Sequence, residues 1–509
     1  MKKNKMPLLV TAGLALVFAA CKVSTQPVQN QIYQEEHRPQ FHYSPQKNWM
    51  NDPNGLVYLD GEYHLFYQHD QYEKVFSDMS WGHAISTDLV HWKEYPKTIV
   101  PDGDSLGLIF SGSAVVDKNN SAGFGTNALI AIYTSTSPKQ QQSLAYSTDK
   151  GRTWTKYSGN PIIKNEEGDS VPDDFRDPKV MWHTPSQKWI MSLAVQDHVE
   201  FWSSANLKNW TKESEFGKGI GAHGGVWECP DLFELPADGN VNNKKWVLLV
   251  SINPGGPNGG SATQYFVGNF DGKNFSTQQA ETHWVDYGTD NYAGVTWSNA
   301  ENRVIATGWM SNWQYAGKVP TQPWRGAHTF PRELKLKTIA NTFYLSSEPV
   351  KELNNIVSNT QSWQDVAING IFDLSVKVKS FNGRFLLQLK SEQLEDYAIV
   401  LSNDQGEELV IGYDKQANQY YIDRSKTGKT SFDSGFGKKH IAPRLSTNKN
   451  TDVTLLIDAA SSELFTDNGL TVMTEIFFSN KPMNKVAIQS TSEIRFTELS
   501  YSTIERIWE

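Results

Sequence analysis

The chain has 509 residues, enough for two or three domains, and its composition is that of a globular protein rather than a fibre or a disordered tail. Its formal charge of −9, with acidic and basic residues interspersed, argues against a nucleic-acid partner, whose phosphates select a basic face. Aromatic residues make up 12% of the chain, 17 Trp among them, and this surplus suits neutral sugars, whose apolar ring faces stack on aromatic side chains.

The chain opens on a basic start, Lys2, Lys3 and Lys5, followed by an apolar run from Leu8 to Ala20 that is short for a membrane span and ends in Phe18-Ala19-Ala20-Cys21. This resembles a bacterial lipoprotein signal, in which Cys21 becomes the lipidated first residue; an ordinary secretory peptide is the alternative. Residues 1–21 are therefore expected to be a signal and the polar, Gln-rich stretch 22–36 a tether. The mature protein is expected to be exported and held at a bacterial outer membrane through its lipid alone. Cys21 and Cys229 are the only cysteines, so no disulfide is expected within the exported body.

The first chemical feature of the body is Asp52, in the turn-rich run Trp49-Met50-Asn51-Asp52-Pro53-Asn54-Gly55. A repeat then begins. Ser86-Thr87-Asp88-Leu89-Val90-His91-Trp92, Ser147 to Trp154, Ser204 to Trp210 and, more loosely, Asn269 to Phe275 recur at intervals of roughly 60 residues, which suits four-stranded propeller blades with long loops. Each Asp or Asn in these turns is read as a hairpin device that bonds nearby backbone amides, with no chemistry of its own. Between the turns, short apolar runs predict strands at Ala128–Tyr133, Trp189–Ala194, Trp246–Ile252 and Arg303–Trp309. Two further acids stand beside prolines in successive repeat units: Asp177 in Arg176-Asp177-Pro178, and Glu228 in Trp227-Glu228-Cys229-Pro230. A propeller gathers its inner strands around one axis, so carboxylates from three blades can converge there. Glycoside hydrolysis needs that convergence, because one carboxylate attacks or activates water while another, protonated, releases the leaving group.

From about Ser347 Trp becomes scarce and short strands follow one another: Phe372–Val378, Arg384–Leu389, Tyr397–Leu401, Glu408–Ile411, Val453–Ile457 and Glu493–Phe496. The expected architecture is all-β, with a five-bladed β-propeller over residues 37–346 and a supporting β-sandwich over residues 347–509. The five-fold count comes from the resemblance that follows.

Trp49 to Gly55, Phe110-Ser111-Gly112-Ser113, Arg176-Asp177-Pro178 and Glu228-Cys229-Pro230 resemble the signature blocks of glycoside hydrolase family 32, the invertases, inulinases and levanases. The likeness continues through Ser251 to Gly255, Trp309-Met310-Ser311-Asn312-Trp313, Trp324-Arg325-Gly326 and Pro331 to Leu334, and reaches Ser462 to Gly469 in the sandwich. It implies Asp52 as the nucleophile that forms a covalent fructosyl-enzyme, and Glu228 as general acid and then general base. It implies Asp177 as the residue that grips sugar hydroxyls and Arg176 as the cation that keeps the acids in register. Asn51, Gln68, Trp81, Phe110, Ser111, Tyr292 and Trp313 match positions that line the fructosyl pocket. The substrate implied is a β-fructofuranoside, cleaved by a monomer with retention of configuration and no cofactor; the lipid tether suits harvesting of a polymer, so levan is favoured, with inulin or sucrose as alternatives.

Each motif has a plainer reading when taken singly: Asn51 to Gly55 as a turn, Arg176-Asp177 as a surface ion pair. His42, His69, His83, His223 and His328 show no metal-ligand spacing, and Asp173-Asp174 is read as a surface acid pair rather than part of a calcium site. No metal is expected. Ser147 to Trp154 also matches the Asp-box of sialidases, whose chemistry requires an Arg cluster that no part of the sequence assembles. A non-catalytic glycan-binding lipoprotein is the rival from a different class. Its mark would be the loss of Asp52 or Glu228, and both are present.

Overall fold

The computed structural model describes Met1 and residues 32–101, 103, 105–165, 172–300 and 302–508. Cys21 and most of the expected tether lie outside the described residues. Of that tether, residues 32–36 are described and pack on the body: Tyr33 stacks on Trp508 at 3.9 Å, and Glu35 pairs with buried Arg38.

Five antiparallel sheets form the propeller. Their first strands are Asn48–Leu59, Ile109–Asp117, Phe175–His183, Val226–Pro236 and Tyr292–Thr296, and these lie side by side in a closed ring around the axis. The ring closes where Tyr58 N–H of the first blade donates to Ser298 O beyond the fifth (3.0 Å), and where Trp324–Arg325 pairs in parallel with Asn48–Trp49. Apolar clusters fill the spaces between neighbouring blades, for example Val57, Phe66 and Trp81 of the first against Ala114, Leu129 and Tyr133 of the second.

The recurrent turns join the third and fourth strands of the first four blades. Asp88 Oδ1 accepts from the N–H groups of Val90 and His91, Asp149 from Arg152 and Thr153, Asn206 from Lys208 and Asn209, and Asp271 from Lys273 and Asn274, all at 2.7–3.1 Å. The residue after each acid or amide has a positive φ, from +58° at Lys150 to +95° at Gly272. The turns are thus structural, as read. The fifth blade closes instead on a two-residue hairpin, Ala340-Asn341, with both φ values positive, the backbone of a type I′ turn.

Each inner strand carries the same irregularity near its beginning: two residues oppose one on the neighbouring strand. The pairs are Asn51-Asp52 against Gln68, Phe110-Ser111 against Thr134, Asp177-Pro178 against Leu193, Cys229-Pro230 against Val250, and Ala293-Gly294 against Gly308. A bulge suspends the ladder for one residue, which is why strands buried on both faces tolerate Pro178 and Pro230, neither of which has an N–H to donate. It also re-aims side chains. Asp177, Cys229 and Ala293 sit at φ +65°, +46° and +54° within these bulges.

The second domain is a sandwich whose two sheets share one long strand, Lys485–Ile504. Its first part pairs with Tyr397–Ser402 and its last part with Phe385–Ser391, so the chain bends from one layer into the other. The expected strand Phe372–Val378 is corrected. Val357–Asp373 is the strand, and residues 374–378 form a turn in which Val378 N–H bonds Leu374 O; Leu374 and Val378 enter the core four residues apart while Val376 is exposed. Arg303–Trp309 is shorter than expected, with its strand at Ile305–Trp309, and Glu493–Phe496 is one part of the long strand.

The two domains share a core. Phe41, Phe330 and Leu353 pack in one cluster with Leu386, Leu456, Phe465, Val472 and Ile504. Buried ions are threaded through this contact. His42 bonds Asp458 at 2.8 Å and Glu463 at 2.6 Å; Arg332 pairs with Asp286 at 2.8 Å and with Glu463; Arg424 pairs with Glu475 at 2.8 Å and Asp290 at 2.5 Å.

Candidate active site

The bulges bring Asp52, Ser111, Asp177, Glu228 and Tyr292, one from each blade, to the same end of the axis. Asp52 is held by three donors: Asn51 Nδ2 at 3.0 Å on one oxygen, Ser111 Oγ at 2.7 Å and the Cys229 thiol at 3.6 Å on the other. The Asn51 amide is itself fixed, because Trp49 Nε1 donates to its oxygen at 2.7 Å and leaves the NH2 to face the carboxylate. Two buried histidines pin the backbone on either side of this residue: His69 Nδ1 donates to Trp49 O at 2.7 Å and His328 Nε2 to Asn51 O at 3.1 Å. Burial drives His328 down to about 3, so it acts as a neutral donor.

Glu228 lies between a cation and a phenol. Arg176 donates to Oε1 from Nη2 at 3.0 Å and Nε at 3.2 Å, and Tyr292 OH donates to Oε2. Burial alone would lower the Arg176 guanidinium, but Glu228, Asp177 and Asp174 outweigh it and hold it above its ordinary value. Asp174 is thus an Arg176 partner, and Gln140 Oε1 accepts both Phe175 N–H at 2.8 Å and Arg176 Nη1 at 3.4 Å. Asp177 is 5% exposed and accepts from Cys229 N–H at 3.0 Å, while its own N–H donates to Thr134 Oγ1 at 3.0 Å.

The cluster is short of positive charge, with one guanidinium among three carboxyls. Burial and then the charge of Glu228 push Asp52 up to about 6, against its three donors. Burial pushes Asp177 up to about 7, with Arg176 opposing the rise and Glu228 and Asp52 adding to it. Cys229 and Tyr292 are driven well above their ordinary values by burial and the neighbouring carboxylates, so both remain protonated donors.

The aromatic rim is partly where sequence places it. Phe110 and Trp313 are half-buried, and Trp313 stacks on Trp49 with centroids 5.8 Å apart. Trp81 is fully buried behind this wall, donates to Phe110 O at 3.0 Å and packs on Phe66 and Tyr133. The exposed ring beside Phe110 and Trp313 is Phe76, at 5.6 and 5.4 Å. Gln68 is also buried, its NH2 donating to Ile109 O at 3.2 Å. Sequence reasoning missed Phe76, Cys229, Thr134 and the bracing role of His69 and His328. The one available signal was Cys229, the sole cysteine of the body, between Glu228 and a proline.

One group among the described residues brings metal-ligand atoms together: His198, Glu200 and Glu215. The Lys212 ammonium already contacts Glu200 and lies 3.4 Å from Glu215, which supplies the positive charge there.

Residues 42–349 match the model of the glycosyl hydrolases family 32 N-terminal domain, and residues 346–503 match the family 32 C-terminal model. The chain is 42% identical over 524 residues to a levanase of Bacillus subtilis, covering all of this chain and 76% of that protein. It is 38% identical to an extracellular exo-inulinase of Aspergillus niger, covering 94% of this chain and 96% of the relative. The crystal structure of the exo-inulinase from Aspergillus awamori superposes with a TM-score of 0.87 at 35% identity, covering 94% of this chain and 100% of that one. Together with the inner-strand bulges and the three-carboxylate cluster, these matches show that the chain belongs to glycoside hydrolase family 32.

Proposed function

We propose that this protein hydrolyses the β-fructofuranosyl linkages of fructans with retention of configuration, Asp52 acting as nucleophile and Glu228 as acid and base. The observation that carries the reading is the convergence of these two carboxyls with Asp177 at one end of the propeller axis, where the Cys229 thiol, on the residue after Glu228, lies 3.6 Å from both Asp52 and Asp177. Asp52 is fixed by three donors that favour its anion and orient one oxygen, as a nucleophile requires. Glu228, with a side chain 17% exposed, is oriented by Arg176 and Tyr292. In the first step Asp52 bonds to the anomeric carbon as the bond to the leaving oxygen breaks, and that oxygen takes the Glu228 proton. In the second, Glu228 takes a proton from water, whose oxygen displaces Asp52 and frees fructose. Asp177, beside both, accepts hydrogen bonds from fructosyl hydroxyls as positive charge develops on the ring.

Levan is the favoured polymer, supported by the levanase relative at 42% identity, with inulin and sucrose as further substrates. The leader supports export with a lipid anchor on Cys21 at a bacterial outer membrane, and the enzyme acts as a monomer. Asp52→Asn and Glu228→Gln are each expected to lower kcat on levan by about a thousandfold or more while circular dichroism stays unchanged. Near-normal turnover in either purified variant would overturn the assignment. Chromatography of products from levan, inulin and sucrose reads linkage and cut together: fructose alone means release from chain ends, and a ladder means internal cleavage.

A further inference from the structure

At the other end of the propeller axis the inner strands enclose a second cavity, of about 800 Å³. It is walled by the half-buried indoles of Trp182 and Trp246 and bordered by Lys118, Asn119 and Asn299. Neither indole N–H bonds to another described residue. At its base lies Asp231, 1% exposed. Asp231 Oδ2 is saturated by Thr296 N–H at 2.6 Å, Thr296 Oγ1 at 2.8 Å and the Lys179 ammonium at 3.0 Å. Asp231 Oδ1 has no hydrogen-bond partner among the described residues.

The two indoles offer an entering ligand flat apolar faces and two unpaired N–H donors. The chemistry narrows the ligand. The lining mixes the carboxyls of Asp231, Glu234 and Asp271 with the ammonium groups of Lys118 and Lys179, so neither a cation nor an anion meets a single sign of charge. A purely apolar ligand leaves both indole N–H groups without an acceptor. A neutral ligand rich in hydroxyls offers apolar ring faces to the two indoles and acceptors to their N–H groups.

The geometry points to a second, non-catalytic carbohydrate site at this mouth, which holds a segment of the fructan chain; the choice of fructan rests on the function proposed above. Bound there, the enzyme stays on the polymer between cuts, and the local concentration of chain ends around its active site rises.

The test uses the full chain carrying Asp52→Asn, so that the polymer survives, in native electrophoresis through gels containing levan or inulin. Retardation by one of these polymers is expected. Trp182→Ala and Thr184→Arg, the second placing a long side chain at the exposed mouth, are each expected to weaken it by about tenfold. The same two substitutions in the active enzyme should leave sucrose hydrolysis within about twofold of the parent. Absence of retardation, or retardation unchanged in Thr184→Arg, overturns the site. Failure of the unsubstituted enzyme to cleave levan, inulin or sucrose is a separate readout, and it strikes the proposed function rather than the second cavity.

Discussion

Asp52, the proposed nucleophile, is oriented by a relay that starts at a tryptophan. Trp49 Nε1 holds the Asn51 oxygen, so the Asn51 NH2 must face Asp52. Trp49→Phe removes that donor and keeps an aromatic ring beside Trp309 and Trp313. Steady-state kinetics should show kcat falling by about tenfold with KM little changed, the loss of one orienting hydrogen bond. The raised value of Asp52, about 6, has two consequences with defined signs. Only the anion attacks, so kcat/KM should fall about tenfold per pH unit below pH 6. The folded state also holds the Asp52 proton more tightly than the unfolded chain, whose value is near 3.8, so the site costs stability increasingly as pH rises from 3.8 through 6. Asp52→Asn should therefore raise Tm at pH 7 by more than at pH 4, as scanning calorimetry would show. An equal change at both would contradict the shift.

At the scale of elements, the repeated bulge is what gathers side chains of five ordinary strands into the candidate site. It places both members of a residue pair against one partner and so presents Asp52, Ser111 and Asp177 at the axis while the rest of each strand packs between blades. The second blade shows how little room this leaves. A Cβ on Gly112, next to Ser111, would lie 2.1 Å from Ile132 O and 2.6 Å from Tyr133 Cα. Gly112→Ala must push the inner strand off its neighbour, at a cost of about 1–3 kcal/mol, and should drag Ser111 from Asp52. Lower Tm together with lower kcat is expected; an intact kcat would separate Ser111 from the nucleophile. The hairpin turns were legible in sequence because an Asx residue and its amides are neighbours in the chain. The bulges were visible only as prolines beside acids, since pairing registers involve strands tens of residues apart. The fifth blade hid its turn because Ala340-Asn341 carries no Asx signature of the repeated kind. In the sandwich, Val357–Asp373 escaped notice because most of its side chains are exposed or half-exposed, and residues 374–378 were misread because Leu374 and Val378 mimic part of a strand's alternation.

Over the whole molecule, the candidate carboxyls Asp52, Asp177 and Glu228 were legible because each sits in a local motif that resembles a family block, whereas nothing local says that residues of the two domains pair with one another. His42 stood in sequence only as a histidine without metal-ligand spacing, and Arg332 and Glu463 as members of two distant blocks, yet all three, with Asp458, are at most 3% exposed where the domains meet. Burial alone would drive His42 down; hydrogen bonds to Asp458 and Glu463 outweigh it and hold it at about 9. Burial would raise Glu463, but the charge of Arg332 and the contact with His42 bring it down to about 2. The signs of the two contributions differ. A depressed acid stabilises the fold above its unfolded value of 4.5 and loses that contribution as pH falls toward 2; a raised histidine stabilises fully below 6.5 and loses its contribution as pH rises through 9. The domain contact is therefore strongest between about pH 4.5 and 6.5, and on the alkaline side its weak point is one proton on His42. His42→Gln removes that proton and leaves two buried carboxylates short of a cation, a loss of about 3 kcal/mol at pH 6. Scanning calorimetry from pH 6 to 9.5 should find the parent Tm falling toward that of His42→Gln, with the two curves meeting near the alkaline end. Curves that stay parallel would mean that His42 is already neutral at pH 6, and the domains would then be joined by the arginine pairs and the shared apolar core without it.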